Sequence, residues 1–370
     1  MARNYLKLSA ASWRNLHSAG GLRLADIPRL HLAVAPVRSF LARLQSVLTA
    51  GVRIHEAPVI ILGYWRSGTT LLHELLSTDP DFCFPTTHDC MNPHSFVLAQ
   101  PFTGLRTGAI RRPQDEMPLT WASPQEDEFA LFALGARSPY EGLLVPGRYQ
   151  EAQALGDVER LSPGAKRKWK RIFVSFLRNV TAKGGGRPVI LKSPAHGYRV
   201  GVIRRLFPQA RFILITRNPY EVLESMTGTC RAFMETFGAA PPLADDALRE
   251  IILAERMRFE EKLHEEIAGL PASQFASIRY EDLIADAPGC IESIYRQLQL
   301  GEPQRARARA AAEMQARKHY RAKAGLPDQI WSQRIQEAWQ MLFRRYGYST
   351  ELPAVSPGRA EHVPERSDAA

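Results

Sequence analysis

The stretch PVIILGYWRSGTTLLHELLSTDPDF, residues 58–82, decides the fold. Val59 to Leu62 form a continuous apolar run, the pattern of a strand buried on both faces of a parallel sheet. The run meets Gly63 and a turn, then Gly68-Thr69-Thr70 opens a stretch with Leu71, Leu72, Leu75 and Leu76 at helical spacing. Gly68 has no side chain to keep the backbone away from an oxyanion. Turn N–H groups and the free N–H groups of the helix start then form an anion-binding concavity. Ser67, Thr69 and Thr70 add hydroxyls, and Arg66 adds a permanent positive charge.

The loop satisfies G-x-x-x-x-G, but Thr69 stands where a nucleoside triphosphatase carries its lysine. That lysine reaches the outer phosphates, where Mg²⁺ also sits, and a neighbouring strand usually ends in a metal-holding aspartate. Here the strand FILIT, residues 212–216, ends in Arg217-Asn218. The expected ligand is therefore a nucleotide whose charge is met by side-chain cations and N–H donors, with no metal.

Further strands follow the same apolar pattern: VIL at 189–191, FILIT, and FASIRY ending at Tyr280. Each leads through polar or turn residues into a helical pattern, which predicts a three-layer α/β/α fold around a parallel sheet. In such sheets ligands bind beyond the carboxyl ends of the strands, where Arg66, Lys192, Arg217 and Tyr280 all fall. Ser162 and Pro163 start a helix with Trp169, Phe173, Phe176 and Val180 on one face, closed by Gly184-Gly185-Gly186. Asn218 is expected to cap the helix after FILIT, with Pro219 at its first position and Glu221 completing a capping box.

Composition limits the rest. With 45% hydrophobic and 23% charged residues the chain is an ordinary globular one, and a formal net charge of +10 favours anionic ligands. The basic residues are spread out and no nucleic-acid-reading motif appears, so nucleic acid is not an expected partner. Cys83, Cys90, Cys230 and Cys290 show no Cys-x-x-Cys spacing, and the first residues lack a secretory apolar core. The expectation is a reduced, cytoplasmic compartment. In the leader, Val37, Phe40, Leu41, Leu44, Val47 and Leu48 recur at helical spacing with arginines between them. Packing on its own domain is the simpler expectation for that stripe; a membrane surface or a partner helix is the other.

The Arg-Ser-Gly-Thr-Thr loop resembles the 5′-phosphosulfate loop of sulfotransferases that use 3′-phosphoadenosine 5′-phosphosulfate (PAPS). The form here is closest to the bacterial family-3 and tyrosylprotein branches. The resemblance implies the P-loop-related sulfotransferase fold over roughly residues 58–346 and PAPS as co-substrate. It also implies that Arg217 and Ser225, eight residues apart, hold the 3′-phosphate; the pairing of a charged fork with a hydroxyl suits a dianion. Some relatives carry an arginine four residues past the serine, where Thr229 stands here, with Arg231 nearby. Lys192, in a Lys-x-Pro segment, falls by the transferred group, and Tyr280 by the adenine.

By that resemblance Arg66 meets the leaving phosphate and Lys192 the sulfonate. For the general base, Asp89 in PTTHDCMNPHSF comes first and His88 second, at about the distance where tyrosylprotein enzymes keep a glutamate. A second acidic group, Asp115, Glu116, Glu126, Asp127 and Glu128, supplies the base, orients it, or is simply a solvated loop. His94 and His196 are read as structural. Aromatic residues between 88 and 160 suggest an acceptor-side insertion suited to a small-molecule, lipid or saccharide acceptor. The expected organisation is a helical leader over 1–56, one sulfotransferase domain over 57–348, and a disordered tail over 349–370. A P-loop small-molecule kinase and an inactive adenine-nucleotide-binding protein are the alternative readings.

Overall fold

The computed structural model describes residues 7–18, 29–99, 109–111, 118–317 and 325–353. Its strands are β1 (Val59–Leu62), β2 (Ala109–Arg111), β3 (Pro118–Thr120), β4 (Ile190–Lys192), β5 (Arg211–Thr216) and β6 (Phe275–Arg279). Four of them make one sheet in the order β4-β1-β5-β6, all parallel. β1 pairs Val59 with Ile190 on one side and with Arg211 on the other. From β4 the chain crosses back over β1 to reach β5, so the loop after β1 opens where the strand order reverses, the usual position of a ligand crevice. β2 and β3 form a separate antiparallel hairpin.

Successive residues of the sheet point into two different cores, as a three-layer arrangement demands. Ile60, Leu62, Leu191, Phe212 and Leu214 join one core, under the helices Pro163–Lys183, Pro219–Phe237, Asp245–Ile267 and Gln329–Tyr346. Val59, Ile61, Ile190, Ile213 and Ile215 join the other, under Thr69–Leu76, Ala287–Leu298 and Pro303–Ala316. The expected helix signals are realised. Ser162 caps Pro163–Lys183 by accepting from the Ala165 N–H, and Trp169, Phe173, Phe176 and Val180 are all buried. The capping box expected at Asn218 is only half formed. Asn218 Oδ1 accepts from the Tyr220 N–H, but the Asn218 N–H goes to Glu281 Oε1 at 3.0 Å, and Glu221 turns to Arg217 instead.

A third, smaller core joins the leader to the insertion: Leu8, Trp13 and Leu16 pack with Phe132, Tyr140 and Leu144. The second leader helix, Arg29–Leu48, corrects the simpler expectation for its apolar stripe. Val37, Phe40, Leu44, Val47 and Leu48 are exposed, while Ala35 and Gln45 are the residues it buries. Small and hydrogen-bonding residues do the packing: Gln45 reaches Pro93 and Val97, and Thr49 donates to Asn179 Oδ1 at 2.6 Å. Among the described residues no helix is long and apolar enough to cross a membrane. Asp115, Glu116 and the tail beyond Pro353 lie outside the described residues.

Candidate functional site

β1 runs into the loop, and two of its glycines are required by close approach. A Cβ on Gly63 would lie 2.7 Å from the Ile215 carbonyl oxygen. Gly68 sits at φ +93° as the N-cap of Thr69–Leu76, and a Cβ there would come within 2.3 Å of the Tyr280 ring. Arg66 also takes a left-handed conformation, φ +68°, which is uncommon for a side-chain-bearing residue and typical of functional turns. Leu72, Leu75 and Leu76 fix the helix in the core. Ser67 departs from its expected role as a ligand donor. It is buried, and its Oγ donates to the Tyr64 carbonyl at 2.7 Å, so it braces the turn. Thr69 is likewise buried, whereas Thr70 is half-buried and faces Lys192.

The second expected anchor lies on the same rim. Arg217, at the end of β5, donates from Nη1 to the Arg66 carbonyl at 3.1 Å, two residues from Gly68. Its guanidinium lies 4.5 Å over the Tyr280 ring and is gripped by Glu221. A cation on an aromatic face, tied at two further edges, has little freedom left. Arg66 Nε donates to Ser225 Oγ at 2.8 Å, which brings Arg66, Arg217, Ser225 and Tyr280 into one cluster. Burial raises the Tyr280 phenol, with Arg217 acting the other way, so the ring stays neutral. Arg231 does not join: its guanidinium pairs with Asp245, and Thr229 Oγ1 donates back to the Ser225 carbonyl.

The acidic run Glu126-Asp127-Glu128 is not a solvated loop. Its three consecutive carboxylates meet Lys192 at the end of β4 and His196 and Arg199 on the segment that follows. Glu126 Oε1 lies 2.6 Å from Lys192 Nζ, Asp127 3.0 Å from His196 Nε2, and Glu128 grips the Arg199 guanidinium through both oxygens. Asp127, Glu128, His196 and Arg199 are all fully buried, so two of the three carboxylates are structural. Glu126 alone keeps solvent access, at 13% of its side chain, and it accepts the Tyr140 hydroxyl. Burial and the Glu126 charge push the Tyr140 phenol well up, so it remains a donor. Lys192 Nζ also reaches Thr70 Oγ1 at 3.5 Å, linking the phosphate loop to Glu126. Behind them, His73 is buried, and burial together with Lys192 holds its imidazole well below its ordinary range, hence neutral.

Asp89 and His88 are placed differently from expectation. Asp89 is buried and closes a capping box with Thr86: Oδ2 accepts the Thr86 N–H at 2.9 Å, and the Asp89 N–H goes to Thr86 Oγ1. The same oxygen lies 2.6 Å from Lys183 Nζ. Burial alone would raise this carboxyl, but His88, Lys183 and the Thr86 N–H outweigh it and hold it below the usual range. The geometry gives Asp89 a capping and pairing role. His88 packs edge-on against Trp121 and lies 3.6 Å from Asp89. His94 and His196 are structural as expected, His94 bonding the Lys7 carbonyl.

Around Glu126 the wall is aromatic. Phe129 tilts against Tyr140 at 4.9 Å and stacks with Phe233 at 6.3 Å, and Trp65 of the loop packs against the same small core that holds Tyr140. One rim thus carries the guanidinium groups of Arg66 and Arg217, Lys192 between the loop and the accessible Glu126 carboxylate, and aromatic side chains beyond.

Residues 58–304 match the model of the sulfotransferase family. The chain belongs to that family. It is 32% identical over 302 residues to omega-hydroxy-beta-dihydromenaquinone-9 sulfotransferase of Mycobacterium bovis and of Mycobacterium tuberculosis, covering 81% of this chain and 77% of the relative. The fold matches that of sulfotransferase STF9 from Mycobacterium avium, with TM-score 0.64, 16% identity and coverage of 92% and 93% of the two chains. Sulfotransferase STF1 from Mycobacterium tuberculosis H37Rv gives TM-score 0.60 at 20% identity, covering 89% and 90%. The protein is a sulfotransferase, and PAPS is its sulfuryl donor. Its residues fit that donor: cationic and N–H donors stand at two points of one rim, and Gly68 lets the Tyr280 ring close on the loop where a Cβ would clash.

Proposed function

We propose that this sulfotransferase acts on the hydroxyl of an apolar acceptor, with Glu126 as the general base. The observation that carries this reading is the accessible Glu126 carboxylate, paired at 2.6 Å with Lys192 at the mouth of an aromatic wall. Bound PAPS supplies an activated sulfuryl group whose leaving oxygen belongs to a phosphate. Arg217 and Ser225 hold the 3′-phosphate, the loop N–H groups from Gly68 onward hold the 5′-phosphate, and Tyr280 faces the adenine. Arg66, now on Ser225, spans the two anchors.

Glu126 takes the acceptor hydroxyl's proton as the oxygen attacks, and Lys192 offsets the negative charge that develops on the transferred group. Fixed cations at developing charge typically contribute about 10²- to 10³-fold each, and a general base about 10²- to 10⁴-fold. Tyr140 and Lys192 orient the carboxylate from two sides, so it needs no rearrangement to accept the proton. The buried Arg199–Glu128 and His196–Asp127 pairs keep the two flanking segments together. Phe129, Phe233 and Trp65 present half-buried aromatic surface suited to an apolar body. The mycobacterial relative named for a hydroxylated menaquinone derivative points to the same class of acceptor.

Glu126→Gln tests the assignment, since it keeps the shape and removes the basicity. Turnover should fall by at least about 10²-fold while the affinity for 3′-phosphoadenosine 5′-phosphate (PAP) stays within about twofold. Turnover near wild type would move the base elsewhere.

A further inference from the structure

The helix Arg29–Leu48 is turned inside out relative to an ordinary surface helix. Leu30, Val37, Phe40, Leu44, Val47 and Leu48 are 40–72% exposed. At about 100° per residue these six fall within an arc of roughly 100° on one side of the helix. The opposite side carries the hydrogen-bonding residues, and they are the ones that pack inward. Ser46 bonds Ser175 at 2.7 Å, Thr49 bonds Asn179 at 2.6 Å, and Gln45 spans the Pro93 carbonyl and the Val97 N–H at 3.1 and 2.9 Å. An apolar stripe of this extent facing water is the mark of an interaction surface.

Charge selects the occupant. Between residues 29 and 55 the sequence contains Arg29, Arg38, Arg43 and Arg53 and no aspartate or glutamate. Arg29 and Arg43 are exposed and flank the stripe on one side. A second copy of the chain would bring this uncompensated positive helix against another like it, which costs energy at every approach of like charges. An anionic bilayer supplies both halves of the match: acyl chains for Phe40 and its neighbours, and headgroup charge for the arginines.

We propose that the exposed face of Arg29–Leu48 docks the protein onto an anionic lipid bilayer, with the helix lying in the plane of the interface. Gln45 ties this helix to residues 93–97, at the start of the acceptor-side insertion. Docking therefore sets that side of the protein against the bilayer, from which an apolar hydroxylated acceptor could be drawn. That last consequence rests on the acceptor class proposed above; the docking itself does not.

Vesicle flotation of the full chain tests it without any reading of activity. Vesicles of phosphatidylcholine with phosphatidylglycerol should carry the protein at least about tenfold better than phosphatidylcholine alone, and added salt should weaken that preference. A Val37→Ser/Phe40→Ser/Val47→Ser variant should lose about tenfold or more of the flotation while keeping its melting temperature and PAP affinity. Arg29→Gln/Arg43→Gln should lose the preference for anionic vesicles. Absence of flotation, or equal flotation of the serine variant, would overturn the proposal. So would a wild-type dimer in sedimentation velocity that the serine variant dissolves, since the face would then belong to a second copy.

Discussion

The rim proposed for the donor and the wall proposed for the acceptor meet at Lys192, which reaches both Thr70 and Glu126, yet they are assembled by different means. On the donor side every group sits at the end of a sheet strand or within the first turns of the helix that follows. Gly68 and Arg66 follow β1, Arg217 and Ser225 follow β5, and Tyr280 follows β6. The parallel sheet brings those ends to one edge regardless of what fills the connections. On the acceptor side, Glu126, Asp127 and Glu128 meet Lys192, His196 and Arg199 across sequence separations of 66, 69 and 71 residues. Backbone topology places the first region; tertiary side-chain pairing places the second.

Lys192 belongs to both regions, so replacing it is the strongest test of whether they are separable. Lys192→Ala should lower turnover by about 10²- to 10³-fold while changing PAP affinity by no more than about threefold, measured by steady-state kinetics beside calorimetry. A matching loss of affinity would mean that donor and acceptor regions form a single unit. A smaller effect is expected at the aromatic wall alone. Phe233→Ala should raise the acceptor KM by roughly tenfold, in line with about 1.5 kcal/mol for a lost aromatic contact, and leave PAP binding untouched. An unchanged KM would take Phe233 out of the acceptor wall.

The smallest effect on chemistry, and the sharpest contrast with Glu126, is expected at Asp89. Asp89→Asn should keep turnover within about threefold and cost about 1 kcal/mol of stability, because the lost charge is that of a cap and of a partly exposed ion pair. The Asp89 carboxyl is depressed in the folded state, so its contribution is present above its unfolded value near 4. It is lost as the pH falls through the lower, folded value. Thermal melts across the acid range should therefore show wild type losing its advantage over Asp89→Asn as the pH drops. Abolished turnover with a native melt would return the base to Asp89.

The two regions also differ in how far they were legible. The four sheet strands, the loop and Arg217, Ser225 and Tyr280 could be read because each is local: an apolar run, a turn, a residue at a fixed offset. Ser67 shows the limit of that reading, since spacing marks a hydroxyl near the phosphate but not that it points back to the Tyr64 carbonyl. The different settings of Asp89 and Glu126 were hidden from the sequence for a longer-range reason. Nothing in PTTHDCMNPHSF reveals that Lys183, at the far end of another helix, comes to claim the Asp89 carboxylate. Tyr140, whose hydroxyl donates to Glu126, carried no signal beyond being aromatic. The stripe on Arg29–Leu48 was visible as a period, but a period says which residues share a face and not which face turns inward.

On the function proposed above, a single cleft grips both phosphate-bearing ends of the donor, with Arg217 reading the 3′-phosphate. Calorimetric titration of wild type and Arg217→Ala with PAP and with adenosine 5′-phosphate tests it most directly. Arg217→Ala should lose about 1.5–3 kcal/mol of affinity for PAP and almost none for the ligand without the 3′-phosphate. Equal losses for both ligands, or an unchanged affinity for PAP, would contradict it.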